Sequence, residues 1–343
     1  MLLLLHIPSP KHEKLSAKAQ IKNLDPLGIF FFVPSIVCLI LALQWGGTTS
    51  LWSAPKIVGL IVAFAILFAF FIAVEALMPE TAMAPGRVVL NRSVAGAMAF
   101  MFLISGCLMS IIYYLTIWFQ AAKGDTAIHS GVSTIPLVLA MVIMAIPIAI
   151  FTQKIGYYVP ALLLAPVFCA TGAGLLSTLT PSSNHSHWFG YQVLFGFGLG
   201  CGFQTSTLVP QTVLKRADVP LGMAMVFFMQ QLGGSIFLSV SQNIFANKLV
   251  NRLSGVAGLD AEVIVNTGAT DLRRVVPASQ LSTVVDAYSY SLTRVFVMAA
   301  ALSVCMILGA LAVEWRSIKA KSSSGDGTSK TEEVKLEDGM GKA

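Results

Sequence analysis

Charge is what this sequence has least of. Only 11% of its 343 residues are Asp, Glu, Lys or Arg, while 56% are hydrophobic and the mean hydropathy is +0.78. A soluble domain carries about 25% charged residues, so an ordinary cytosolic enzyme is excluded. Carboxylates are absent from the middle of every long apolar run, so these runs supply no buried acid to carry a proton. Catalytic patterns are equally scarce: there is no His pair at i, i+4, no Gly-x-Ser-x-Gly and no glycine-rich phosphate loop. His185 and His187 come nearest to a metal pair, but two ligands in a polar turn do not make a site. These absences point to no enzyme, no metal and no cofactor. The five cysteines (Cys38, Cys107, Cys169, Cys201, Cys305) lie inside apolar runs without metal spacing and read as buried free thiols. The net charge of +6 is no nucleic-acid footprint, because the basic residues fall in short loops and tails and form no stripe.

What the sequence does have is long apolar runs. A bilayer core needs about 20 apolar residues per helix at about 1.5 Å each. Eight runs meet that length, over roughly 26–46, 56–77, 93–119, 128–152, 158–179, 188–213, 220–247 and 294–315. The longest charge-free tract, Ile155 to Leu214, is divided by the polar turn Thr180 to His187. An open sheet edge in lipid would leave backbone groups unpaired, so every span is expected to be a helix. Pro34, Pro136, Pro147, Pro166 and Pro210 fall inside spans, where a packed membrane bundle tolerates the kinks. The fold class expected is an all-α integral membrane protein of eight transmembrane helices.

Basic residues orient it. Lys11, Lys14, Lys18 and Lys22, then Arg87 and Arg92, Lys154, Lys215 with Arg216, and the C-terminal tail fall on one side; the opposite short loops hold only Lys56 and Lys123. The positive-inside rule puts both termini in the cytosol. The expected organisation is a cytosolic N-terminal segment over 1–25, a first helix pair over 26–92, and six further helices over 93–315 with a long outer loop at 248–293. A disordered cytosolic tail over 316–343 follows, since from Ser322 on it is Ser, Gly and charge. The opening Met1-Leu2-Leu3-Leu4-Leu5 lacks a basic flank and is too short for a signal peptide; it resembles the last turn of a helix that begins upstream.

Neutral polar side chains within the spans are the functional candidates. Two readings exist for each: a hydrogen bond between helices, or the lining of a cavity for an amphipathic ligand beside aromatic rings. Tyr113, Gln120, Phe203, Gln204, Phe227, Gln230 and Gln231 are the cavity candidates. Gly196, Gly198, Gly200 and Gly202 set two small-xxx-small pairs on adjacent helix faces, and Gly233 and Gly234 follow in the next helix; such faces let helices approach closely. Asn184-His185-Ser186 is a glycosylation candidate in an outer turn, whereas Asn91-Arg92-Ser93 falls in a cytosolic loop.

Several blocks resemble one family. Leu24-Asp25-Pro26-Leu27-Gly28 with Leu41-Ala42-Leu43-Gln44-Trp45-Gly46-Gly47 looks like the entry and exit of the seventh helix in fungal fourteen-span drug:proton antiporters of the major facilitator superfamily. Gly198-Leu199-Gly200-Cys201-Gly202-Phe203-Gln204, Asp218-Val219-Pro220-Leu221-Gly222 and Gln231-Leu232-Gly233-Gly234 resemble its twelfth and thirteenth helices. Gly268-Ala269-Thr270-Asp271-Leu272-Arg273, Val276-Pro277-Ala278-Ser279 and Glu314-Trp315-Arg316-Ser317 are similar to its toxin-efflux branch.

The resemblance implies a proton-coupled secondary antiporter exporting a small amphipathic compound, a fungal secondary metabolite or toxin. It also implies that the last six helices are the C-terminal bundle, built as two inverted three-helix units. The first six-helix bundle is missing from the match, so the chain is expected to be a truncated C-terminal part, inactive alone unless a missing N-terminal bundle or a second copy faces it. A scaffold or regulatory subunit of eight spans without transport is the alternative. The plasma membrane is the first expectation for its location, and a vacuolar or vesicular membrane the second.

Overall fold

The computed structural model describes residues 25–47, 49–78, 85–254, 264–265, 267–269, 272 and 276–317. The expected N-terminal segment up to residue 24 and the tail from 318 onward lie outside them. Among the described residues, eight helices are long and apolar enough to cross a membrane. They are α1 (Pro26–Trp45), α2 (Pro55–Leu77), α3 (Arg92–Trp118), α4 (Ile135–Ile155), α5 (Val159–Leu176), α6 (His185–Ser206), α7 (Val219–Leu253) and α8 (Leu281–Ala312). The chain is an all-α, multi-pass integral membrane protein.

Local chemistry sets the ends. Asp25 caps α1 by accepting a 2.9 Å hydrogen bond from the Gly28 amide, and Pro26 supplies the first turn, where its missing N–H costs nothing. A Cβ on Gly28 would run into the Asp25 carboxylate, which explains the Asp-Pro-Leu-Gly block. Pro34, Pro147 and Pro166 lie within α1, α4 and α5. The other two prolines act differently. Pro136 sits in the first turn of α4, after the short helix Ala127–Ser133 stops; Pro210 belongs to Leu208–Val213, set off from α6 at Thr207. A proline ring clashes with the carbonyl four residues back, so both breaks fall where they must.

α3 is followed directly by one turn of π-helix, Phe119–Lys123. It packs along α7 and α8, and α6 packs along α4 and α5; α3 also meets α6, and α5 meets α8. Exchanging α3–α5 for α6–α8 leaves these neighbours unchanged. One contact, α7 on α8, lacks a comparable α4–α5 counterpart. Trp118, Tyr114, Phe100, Phe195 and Phe296 are among the largest fully buried side chains. The α1–α2 pair leans on α7: Phe32 lies 5.0 Å from Phe228, and Asn243 donates to the Leu43 carbonyl at 3.3 Å. Gly47 takes φ +76° beside Asn243 and Trp52, space that no side chain could share.

The two ends of the bundle differ. At the Arg87 end, Arg87 pairs with Asp218 at 3.0 Å, and Glu314 is held through its amide by Ser93 and through its carbonyl by Tyr158. At the Lys123 end, Lys123 donates to the carbonyls of Pro181 and Ser183 at 2.8 and 2.7 Å. Trp118 donates to Ser289 Oγ at 3.0 Å on the same side. The loop expected over 248–293 is shorter than the sequence suggests, because α7 runs to Leu253 and α8 starts at Leu281. Counting only charge-free residues stops a helix at Arg294, yet a helix continues past the bilayer where its charged side chains meet water.

Candidate functional site

Three adjoining helices display polar and aromatic groups at membrane depth. α3 lies between α6 and α7. A Cβ on Gly202 of α6 would sit 3.0 Å from the Phe100 ring, and one on Gly233 of α7 would meet the Phe102 backbone. Gly234 lies beside Met109 and Ser105 of α3, whereas Gly198 faces Ala165 and Cys169 of α5. Gly196 and Gly200, on the other face of α6, lie against Leu137, Ala140 and Met141 of α4.

On α3, Met109 and Tyr113 share one exposed face, Tyr113 being 50% exposed. Its neighbour Tyr114 is turned inward, with the two rings edge-on at 5.2 Å. Tyr114 donates to Gln242 Oε1 of α7 at 2.8 Å. On α7, Phe227 is 47% exposed and Gln231, one turn on, is exposed too; Gln230 is half-buried. On α6, Gln204 is exposed while Phe203 is half-buried against the core. The Gly234–Met109 contact places the displayed faces of α3 and α7 side by side, and Gln204 follows two residues after the Gly202 crossing.

Gln120 lies elsewhere. It belongs to the π-turn and donates to Ser130 Oγ at 3.2 Å, joining α3 to the helix before α4. Asn184 is an exposed residue just before α6, at the Lys123 end. Sequence reasoning missed Met109, whose place four residues before Tyr113 was the available signal. It also missed the Tyr114–Gln242 pairing, which no spacing within one helix can reveal.

The displayed side chains are uncharged amides, a phenol, a thioether and a phenyl ring. Such a surface can hydrogen-bond and stack on a ligand, but it holds no group that would act as acid, base or nucleophile near neutral pH. Among the described residues, no three His, Cys, Asp or Glu side chains gather where a metal could bind.

The site is thus a neutral polar face on a bundle of membrane-spanning helices. No family model matches the chain. An MFS-type efflux pump of Arthroderma benhamiae is 41% identical to it over 323 residues, which is 93% of this chain and 60% of that protein. The efflux pump aflT of Aspergillus parasiticus is 41% identical, over 93% of this chain and 63% of the pump. The rubrofusarin-specific efflux pump aurT of Gibberella zeae is 38% identical, over 93% and 59%. The chain is a homologue of these MFS-type efflux transporters, which are not enzymes, and spans about 60% of their length.

Proposed function

We propose that this chain forms one half of a proton-coupled efflux pathway that exports a small amphipathic compound of the secondary-metabolite kind. In this reading α3–α8 are the C-terminal six-helix bundle, two inverted three-helix units, and α1–α2 are an extra pair beside α7. Tyr113, Phe203, Gln204, Phe227, Gln230 and Gln231 form one wall of the substrate cavity, and Gly198, Gly202, Gly233 and Gly234 let the walls close up. The carrying observation is the exposure of Tyr113, Gln204, Phe227 and Gln231 on adjoining helices at membrane depth. Water is absent there, so a polar face needs a partner, and a ligand cavity between two bundles supplies one.

Alternating access rocks one bundle against another around a midplane site. The second wall is therefore a six-helix bundle from outside these eight helices or a second copy, and that wall carries the proton-binding group. Arg87, Lys154, Lys215 and Arg216 gather at the Arg87 end, which supports a cytosolic face there by the positive-inside rule. Asn184 then lies on the far side, open to glycosylation, and the plasma membrane is the expected location.

The test is a chimera in which this chain replaces the matching part of the aflT pump, assayed for dye export from proteoliposomes bearing a proton gradient. Export by the chimera, its loss with Tyr113→Ala, Gln204→Ala and Gln231→Ala combined, and no export by the chain alone are the expected results. Unchanged export by the triple variant would remove the cavity assignment. No export by any chimera would favour an eight-span scaffold.

A further inference from the structure

At the Lys123 end, away from the displayed face, α5 and α8 border a half-open cavity of about 430 Å³. Its floor is charged and hydroxylated: Asp286, Tyr290 and Arg294 from α8, and Thr178, Thr180 and Ser182 from the end of α5 and the loop after it. The Arg294 guanidinium lies 4.5 Å from the centre of the Tyr290 ring, and Arg252 lies 4.9 Å from the same ring. Neither arginine forms an ion pair among the described residues. Arg294 Nε is buried with no hydrogen-bond partner. Two cations on one ring, neither of them ion-paired among the described residues, leave positive charge that an anion on the guanidinium's outer nitrogens would satisfy.

Depth and shape choose among anions. The charge-free part of α8 from Val295 to Ala312 spans 18 residues, about 27 Å of helix, which matches the hydrocarbon core. Arg294 therefore sits at the level of lipid phosphates. Below the cavity, Val297, Val304 and Leu311 repeat the face of Tyr290 every seven residues, and all are exposed. On α5, Leu164 and Thr171 lead up to Thr178 at the same interval and are exposed as well. A polar seat above two exposed membrane-depth stripes is the shape of a headgroup over acyl chains. Asp286 supplies the last constraint. Because Arg294 reaches back over Tyr290, its charge lies about one turn, roughly 6 Å, from the level of Asp286. A ligand carrying a phosphate and a cation a few ångströms apart fits both.

We propose that this cavity binds the headgroup of a zwitterionic glycerophospholipid from the adjacent leaflet. The phosphate sits on Arg294, the ammonium faces Asp286, and the acyl chains lie between α5 and α8. The assignment does not depend on the export reading.

The full chain, stripped of lipid in detergent, would be titrated with phosphatidylethanolamine, phosphatidylglycerol, glycerophosphoethanolamine and inorganic phosphate by native mass spectrometry. Phosphatidylethanolamine should bind best. Arg294→Gln should weaken it about tenfold or more, the usual loss of a charge-assisted hydrogen bond. Asp286→Asn should erase the preference over phosphatidylglycerol. Thr178→Trp, at an exposed position on the rim, should block binding without touching either charge, and it decides the matter if Arg294→Gln does not fold. Binding of phosphatidylethanolamine that survives Thr178→Trp would overturn the site. Inorganic phosphate or the chain-free headgroup binding as tightly as the lipid would overturn the lipid assignment.

Discussion

Tyr114 and Gln242 meet across α3 and α7, the phenol donating to the amide oxygen at 2.8 Å from a buried ring. Tyr113, its neighbour, points the other way and is half exposed. The hydrogen bond thus joins the buried packing of α3 in holding Tyr114 inward, which leaves Tyr113 on the displayed face.

Tyr114→Phe should therefore destabilise the bundle by about 0.6–1.5 kcal/mol, the range for a hydrogen bond between membrane helices. The change keeps the ring and its packing on Phe245, so the loss reads the hydroxyl together with the Gln242 oxygen it leaves unpaired. Reversible unfolding in mixed micelles measures it. An unchanged midpoint would mean that the bond contributes nothing to stability.

The glycines divide into two groups with opposite expectations. A side chain on Gly233 would enter the Phe102 backbone, whereas Gly174 and Gly190 have nothing within 4 Å. Gly233→Leu should cost about 1–3 kcal/mol or more through overpacking that backbone cannot relieve. Gly174→Leu should be near neutral or slightly stabilising, since a better helix former replaces glycine at an open position. Monodispersity on size exclusion and the thermal midpoint separate the two; equal behaviour would mean that α3 and α7 can part freely.

The spans were legible because lipid imposes a length and forbids charge, two conditions a reader can count. Helix starts such as Asp25-Pro26 were legible too, since capping is local chemistry. The pairing of α3 with α7 was not, because nothing in a run of Leu, Ile and Phe says which face meets which neighbour. Nor was the start of α8: Asp286 and Arg294 look like loop residues when the only criterion is freedom from charge. The candidate wall was half legible. Polar residues in apolar runs mark themselves, but Gln120 and Gln204 look alike until the fold shows one bonded to Ser130 and the other displayed.

Tyr158 gives a pH dependence. It stands just before α5, outside the membrane-spanning segments, and donates to the Glu314 carbonyl at 2.7 Å. Burial pushes its hydroxyl above the ordinary value, partly offset by a hydrogen bond with the Arg316 backbone and by the charge of Arg316. The unfolded chain titrates near pH 10, below the folded value. The fold therefore favours the neutral phenol, and its contribution is intact below about pH 10 and is lost as pH rises through the folded value. Against Tyr158→Phe, the wild-type chain should be more stable at pH 8, and that advantage should shrink above pH 10. Parallel profiles from pH 7 to pH 11 would show that the hydroxyl does not couple to folding.

Lys123 ties the end of α3 to the loop between α5 and α6. Its ammonium donates to the Pro181 and Ser183 carbonyls and lies 5.6 Å from the Trp118 ring. The lysine is the last residue of the π-turn, which ends at Gly124 with φ +74°. Lys123→Met keeps the stem and removes the charge, leaving two carbonyls to water or to no partner. The loss should be local, about 1–3 kcal/mol. Amide exchange across Thr180–Asn184 should quicken, while α1 and α2, which lean on α7 far from this contact, keep their protection. Lys123→Arg should restore part of it, because a guanidinium can still donate to both carbonyls from the same turn. Exchange rates that rise equally in α1 and α2 would show that the tie supports the whole bundle and not this end alone.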